Sequence, residues 1–309
     1  MLKKVKIILS SAFVLSVLGL TIVLGLTQSN VMAEEKQAKK AVISDEQKEW
    51  LRGLGFSPNS IENMSDESFD HISKQFKGVT GKPIKEKVEY HKVEYTLDEK
   101  GKVKKVKMIK KTKEDYEKAK KEKDAKRSVS ILGTWDDTRD SWIKQRLYVG
   151  TISGSGNGDY MAQTSYEWLE PPFVAYSDVT GITHGNNVDK VAGTEYGEHW
   201  YYDDNGYHTA DITNNGEAES KDPDGYADKF DLKLFGTGVG DNLLARDHGG
   251  YFYITFDQDN SFDDTADLYG HYVHALTSSF FNISVSKGGI SLAGSSESQA
   301  TDTHVDFTY

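Results

Sequence analysis

His199-Trp-Tyr-Tyr202-Asp203-Asp-Asn-Gly206-Tyr207-His-Thr-Ala-Asp-Ile212 decides the fold class of this chain. Both flanks are rich in aromatic residues that suit a pleated, half-buried surface. Between them, Asn205-Gly206 is among the strongest two-residue hairpin signals. The stretch therefore reads as two antiparallel strands. Side chains alternate along a strand, so Trp200 and Tyr202 share one face and Tyr201 takes the other. One face is core. The other, with Trp200, Tyr202 and Tyr207, is a candidate flat platform for a sugar or peptide.

The same pattern continues on both sides. Residues 142–153 run into Gly154-Ser-Gly-Asn-Gly158, and residues 159–169 follow as a return strand. Further short apolar-aromatic runs at 226–235, 250–256, 269–278, 280–286 and 303–309 alternate with Gly, Asn and Asp turns. Unequal connections and the lack of a helical run point to an antiparallel β-sandwich over residues 129–309, with Greek-key crossings. The 309 residues include 28 Gly, 5 Pro, 17 Tyr and no Cys. Without cysteine the core must hold by burial and hydrogen bonds. Disulfides, thiol catalysis and Cys-ligated zinc are excluded.

Upstream of this domain the sequence changes character. Residues 34–80 read as a short helical segment. Ser44 with Gln47 has capping-box spacing. Gly53 and Gly55 end that helix, Ser57-Pro58 starts a second, and Ser65 caps a third that buries Phe69, Ile72 and Phe76. Residues 81–128 read as a basic β-hairpin turning at 98–101, followed by a polar helical spacer over 113–127. The whole is mainly β: a sandwich preceded by a helical segment and a hairpin/helix spacer.

Charge divides the chain. Residues 34–128 hold 25 Lys+Arg and 19 Asp+Glu, a net of +6, whereas residues 129–309 hold 9 and 29, a net of −20. An acidic domain repels phosphate, so nucleic acid is excluded as a partner. The basic segment is suited to an anionic surface such as headgroups or wall polymers, or to simple solvation.

Lys3, Lys4 and Lys6 precede an uncharged apolar run over 7–26, and Val31 and Ala33 satisfy the small-residue rule for cleavage after Ala33. Residues 1–33 thus read as a signal peptide, which makes the protein secreted and extracellular. The alternative is an uncleaved anchor, because 20 apolar residues can span a bilayer. Membrane contact would then be through 7–26 alone, with the rest of the chain on the outer face of the plasma membrane.

Three stretches carry a resemblance. They are Leu51-Arg-Gly-Leu-Gly-Phe-Ser57 with Ile61-Glu-Asn-Met-Ser-Asp-Glu67, Tyr166-Glu-Trp-Leu-Glu-Pro-Pro-Phe173, and Asp178-Val-Thr-Gly-Ile-Thr-His184. Together they resemble uncharacterised exported proteins of Gram-positive bacteria. The resemblance implies a compartment and brings no activity and no catalytic residues.

Candidate chemistry is sparse. No G-x-S-x-G elbow is present, and His248-Gly249-Gly250 is read as a strand opening. His271 and His274 lie three apart on an expected strand and so point to opposite faces, which disfavours a shared metal. Glu167 with Glu170, and Glu195 with Glu198, are paired carboxylates of the kind a glycosidase uses. Asp257, Asp259, Asp263 and Asp264 crowd one acidic loop; solvation or a bound calcium ion would relieve their repulsion. No cofactor is required. The reading is an exported, non-enzymatic β-sandwich that binds an envelope or extracellular partner, glycan or protein. The alternatives are a secreted glycan hydrolase using paired carboxylates and a calcium-stabilised surface interaction module.

Overall fold

The capping signals around residues 44–76 each form the helix end they imply. The computed structural model describes residues 36–97, 99, 103–129, 140–154, 156–170, 172, 177–203, 205–213, 218, 220–232, 245–259, 264–276, 281–294, 297–299 and 302–309. Helix α1 (Asp45–Gly53) begins on a complete Ser44/Gln47 capping box. Helix α2 (Pro58–Glu62) begins on Ser57 with Pro58 in its first turn, and helix α3 (Asp66–Gln75) on Ser65. Helix α4 (Lys113–Val129) is the polar one. The strands are β1 (Lys36–Gln37), β2 (Thr80–Leu97), β3 (Val103–Lys111), β4 (Asp140–Ser153), β5 (Tyr160–Trp168), β6 (Ser177–His184), β7 (Asp189–Lys190), β8 (Tyr196–Asp203), β9 (Gly206–Asp211), β10 (Ser220–Asp222), β11 (Gly225–Asp231), β12 (Arg246–Asp257), β13 (Thr265–Ala275), β14 (Asn282–Ser286), β15 (Gly289–Ala293), β16 (Glu297–Gln299) and β17 (Thr303–Thr308).

The protein is mainly β, and its sheets are antiparallel. The larger sheet runs β1-β9-β8-β12-β5-β4-β2-β3, with β7 also on β12. The second runs β10-β11-β6-β13-β16, with β17 also on β13, and β14-β15 form a separate hairpin.

Alternation on the strands of the larger sheet serves two cores. One face carries Ile152, Met161, Tyr196, Trp200, Tyr251 and Tyr253, which pack under Leu51, Leu54, Phe56, Ile72 and Phe76 of the helical segment. The opposite face meets the second sheet. There Leu147, Val149, Phe252, Ile254 and Phe256 interlock with Ile182, Leu268, Val305 and Phe307. Burial of such side chains contributes roughly 1.5–3 kcal/mol each. The small hairpin covers the second sheet's far side through Val285, Ile290 and Leu292.

The segments that the sequence sets apart as 34–80 and 81–128 share this architecture. Ala33–Tyr309 form one compact unit. Strand β2 pairs with β4 from Thr80↔Ser153 to Glu94↔Asp140, so the basic hairpin is the end of the larger sheet. Helix α4, expected as an exposed spacer, docks on the sheet: Tyr116 is buried, its ring 4.9 Å from Tyr90 and 6.4 Å from Trp142, and Lys123 lies 4.0 Å from Asp247 of β12.

Close backbone approach fixes the helical segment on the sheet. A Cβ at Gly81 of β2 would strike the Gly53 carbonyl, 2.7 Å from its carbon and 3.1 Å from Leu54 Cα. Backbone cannot swing aside as a side chain can. Gly81→Ala is therefore expected to destabilise the protein by about 1–3 kcal/mol, the usual range for overpacking. A urea midpoint equal to the parent's would show that α1 can slide away freely.

Candidate functional site

The aromatic platform expected at Trp200, Tyr202 and Tyr207 is occupied by the chain itself. Trp200 is buried in the helix-side core. Tyr202 donates to Asn63 Oδ1 at 2.8 Å, and Tyr207 donates to the Asn63 carbonyl oxygen. Tyr201, on the other face, is fully buried too. Both faces of the deciding hairpin are therefore core. The fitting partner for its aromatics is the loop between α2 and α3, which carries the small polar groups that satisfy their hydroxyls.

The acidic loop is only partly described. Asp257 accepts the Asp159 backbone N–H at 2.7 Å and closes the β4–β5 turn against β12. Asp259 and Asp264 are exposed, and Asp263 lies outside the described residues. Among the described residues no group of three or more His, Asp or Glu is gathered as a metal would require.

The paired carboxylates are held by different elements. Glu167 pairs with Lys144 at 2.9 Å and Glu195 with Lys221 at 3.0 Å, while Glu170 is exposed. Glu198, fully buried, accepts the Ser65 N–H at 3.2 Å and the Tyr251 hydroxyl at 3.2 Å. It therefore sits at the N-terminus of α3, where a carboxylate suits the unpaired amides. Burial pushes its pKa up to about 7, against a downward pull from the Ser65, Ser68 and Tyr251 hydrogen bonds.

Histidine three-residue spacing behaves as strand geometry demands. His271 turns outward from the second sheet, to Asp302 at 2.7 Å and Thr183 at 2.7 Å. His274 turns inward, to Asp178 at 2.9 Å. The two histidines share no partner.

What sequence reading missed is a polar half of the inter-sheet core. Beyond the apolar half described above, the same space holds Tyr166, Trp168, Phe230 and Tyr272 with Val93 and Ile143. Two hydrogen-bonded networks run through it. In one, Trp168 Nε1 donates to the Tyr272 hydroxyl at 2.8 Å, and Tyr272 donates to Asp178. Asp178 also meets His274 Nδ1 and the Ala275 N–H, and His274 Nε2 lies 3.5 Å from the Tyr95 hydroxyl. This belt begins on β5, crosses to β13 and β6, and returns to β2.

The second network is a ladder of rings. Tyr166 stacks on Phe230 at 5.1 Å, Phe230 on His199 at 4.6 Å, His199 on His248 at 5.4 Å, His248 on Tyr201 at 5.4 Å and Tyr201 on His208 at 4.9 Å. Tyr166 Oη meets His199 Nδ1 at 2.9 Å, and His208 Nε2 meets Asp203 at 2.8 Å. Burial raises the pKa of Tyr166 and Tyr272 well above the usual tyrosine value, with Asp178 adding to it. Both phenols therefore stay neutral hydrogen-bond donors.

The signal for this half lay in histidine placement: seven of nine His follow residue 180. Clusters of buried titratable groups are where functional chemistry concentrates, although structural networks share the feature. Comparison with protein-family models, curated proteins and solved structures finds no match to this chain.

Proposed function

We propose that this protein is an exported β-sandwich binding protein whose partner is an anionic, phosphate-bearing envelope surface. One observation carries this reading. Residues 80–111, which run from the start of β2 to the end of β3, hold 11 Lys and 5 acidic residues. That net of +6 equals the whole excess of residues 34–128, so the positive charge gathers at one end of the larger sheet. Lys82, Lys87, Lys105 and Lys107 are exposed there, and among the described residues no ion pair engages them. Lysines on an open sheet edge also discourage edge-to-edge association. Four unengaged lysines beside an acidic body nevertheless form a one-sided field that orients the molecule toward anions.

Export is supported by Lys3, Lys4 and Lys6 before the apolar run 7–26. That run lies outside the described residues, among which no helix is long and apolar enough to cross a membrane.

Co-sedimentation with vesicles tests the proposal. Residues 34–309 should bind phosphatidylglycerol vesicles, ignore phosphatidylcholine, and release with rising salt. At about 1 kcal/mol per lysine near such a surface, replacing Lys82, Lys87, Lys105 and Lys107 by Gln should weaken binding roughly a thousandfold. Equal binding to both lipids, or an unaffected variant, would end this reading.

A further inference from the structure

We infer that the basic end of the larger sheet is a linear docking edge for an extended phosphate polymer, a single phosphodiester or polyphosphate chain laid along the strand direction. The inference rests on the anion-binding reading above and names the form of the partner.

The edge is built from two strands in series. Strand β3 closes the larger sheet, but it pairs with β2 only from Tyr90 to Leu97. Among the described residues, the first half of β2 pairs with β4 and with no other strand. Every residue from Lys82 to Lys87 is exposed, as an edge strand with solvent on both faces requires. Because β3 is antiparallel to β2, it continues the same line in reverse order. Lys111 stands opposite Tyr90, Lys107 opposite Glu94 and Lys105 opposite Thr96. Lys82 and Lys87 therefore come first along the edge, then Lys111, Lys107 and Lys105. The line covers β2 from residue 82 to residue 96, about 45 Å at about 3.3 Å per residue.

The pairing of charges leaves this line positive. Strand β2 carries three acids and β3 none, and each of the three meets a cation. Glu86 meets Arg146 at 2.8 Å, Glu89 meets Lys110 at 2.6 Å and Glu94 meets Lys92 at 3.2 Å. Asp306 takes Lys85 at 3.0 Å. Lys107 stands directly opposite Glu94, yet that carboxylate turns to Lys92. Among the described residues no ion pair engages Lys82, Lys87, Lys111, Lys107 or Lys105.

The shape of this charge selects a thread over a plane. Residues 129–309 carry a net of −20. A plane of anions wider than the edge extends over that body and is repelled by it. A chain one residue wide follows the lysines alone, and screening shortens its reach to other charges to about 8 Å at physiological ionic strength. Repeated phosphates also suit repeated cations: Lys105 and Lys107 lie two residues apart on one face, about 6.6 Å along the strand.

Isothermal titration of residues 34–309 with inorganic triphosphate, and with polyphosphate long enough to span the edge, tests the inference. The long chain should bind roughly a hundredfold tighter, the gain from linking weak contacts. Its affinity should fall with salt at a log–log slope of about −3.5, from five contacts at about 0.7 each on a single-stranded polyanion. Two double variants mark the ends: Lys82→Gln with Lys87→Gln, and Lys105→Gln with Lys107→Gln. Each should weaken the long chain roughly thirtyfold and flatten its salt slope by about 1.4. Triphosphate is too short to reach both ends, so at most one variant should affect it. All four lysines are exposed, and circular dichroism confirms that the variants are folded. Triphosphate binding as tight as the long chain, or an end variant that holds the long chain as the parent does, would overturn the inference. Vesicle binding that depends on the four lysines, without length dependence in polyphosphate, would overturn it too and leave the anion-binding reading standing. Length-dependent polyphosphate binding without vesicle binding supports the edge and removes the bilayer as its partner. Binding of neither would end both.

Discussion

Asp178→Ala is expected to lower the stability of this protein by about 3–5 kcal/mol, the loss that follows when one partner of a buried polar pair is removed. The mutation leaves the Tyr272 hydroxyl, His274 Nδ1 and the Ala275 N–H facing a void, and all three residues are 1% exposed or less. Each stranded donor forfeits its bond to water without a replacement, a penalty of about 1–3 kcal/mol apiece where the site cannot relax. Whole domains are stable by only about 5–15 kcal/mol, so the loss is a large share of the total. Asp178→Asn keeps one acceptor oxygen but turns an amide N–H₂ toward the remaining donors, and should fall between parent and alanine. Urea denaturation reads the effect as a shift in midpoint at constant slope. An alanine variant within 1 kcal/mol of the parent would mean that the belt from Trp168 to Tyr95 adds nothing net to the joining of the two sheets.

Strand β6, which carries Asp178, shows where sequence reading stops. Ser177-Asp-Val-Thr-Gly-Ile-Thr-His184 has no apolar alternation, yet every one of its residues is buried. It lies between β11 and β13 and has core on both faces. Its polar side chains are tolerated there because neighbouring strands answer them: Asp178 by His274 and Tyr272, Thr183 by His271. Those answers come from residues about ninety positions away, and local pattern cannot see them. The hairpin at 199–212, by contrast, carries its own instruction in Asn205-Gly206 and its aromatic flanks. Even there the use of the aromatics depended on distant chain. Tyr202 and Tyr207 were legible as one face, but the Asn63 that covers them belongs to a loop that looked like part of a separate module. The helix caps at Ser44, Ser57 and Ser65 were legible because a cap is a contact over three residues.

Glu198 makes the second large prediction, and its sign is opposite to that of most carboxylates in folded proteins. Two effects compete at this side chain. The N-terminus of α3 and the hydroxyl of Tyr251 favour the ionised form, a contribution of about 0.3–2 kcal/mol from the helix end. Complete burial between β8 and the helical segment favours the neutral form. Its other close titratable neighbours, Tyr196, Tyr207 and Tyr251, are themselves held neutral by burial. Asp211, opposite Glu198 on β9, is acidic as well, and among the described residues no cation pairs with Glu198 to offset the penalty. Burial wins, and the folded-state pKa rises from 4.5 to about 7. Between these two values the folded protein holds a proton that the unfolded chain has released, so stability must fall as pH rises. The benefit of the neutral carboxyl is complete below about pH 4.5, declines through the interval, and is gone above about pH 7. At 1.36 kcal/mol for each pH unit the swing is about 3 kcal/mol. Other groups titrate over the same range, His71 among them, which burial makes harder to protonate. The informative quantity is therefore the difference between parent and Glu198→Gln, which cannot ionise. That difference should move by about 3 kcal/mol in favour of the variant between pH 4.5 and 7.5, and stay level outside the window. Parallel stability profiles for the two proteins would show that the carboxylate is solvated in the folded state and that the helical segment does not seal it.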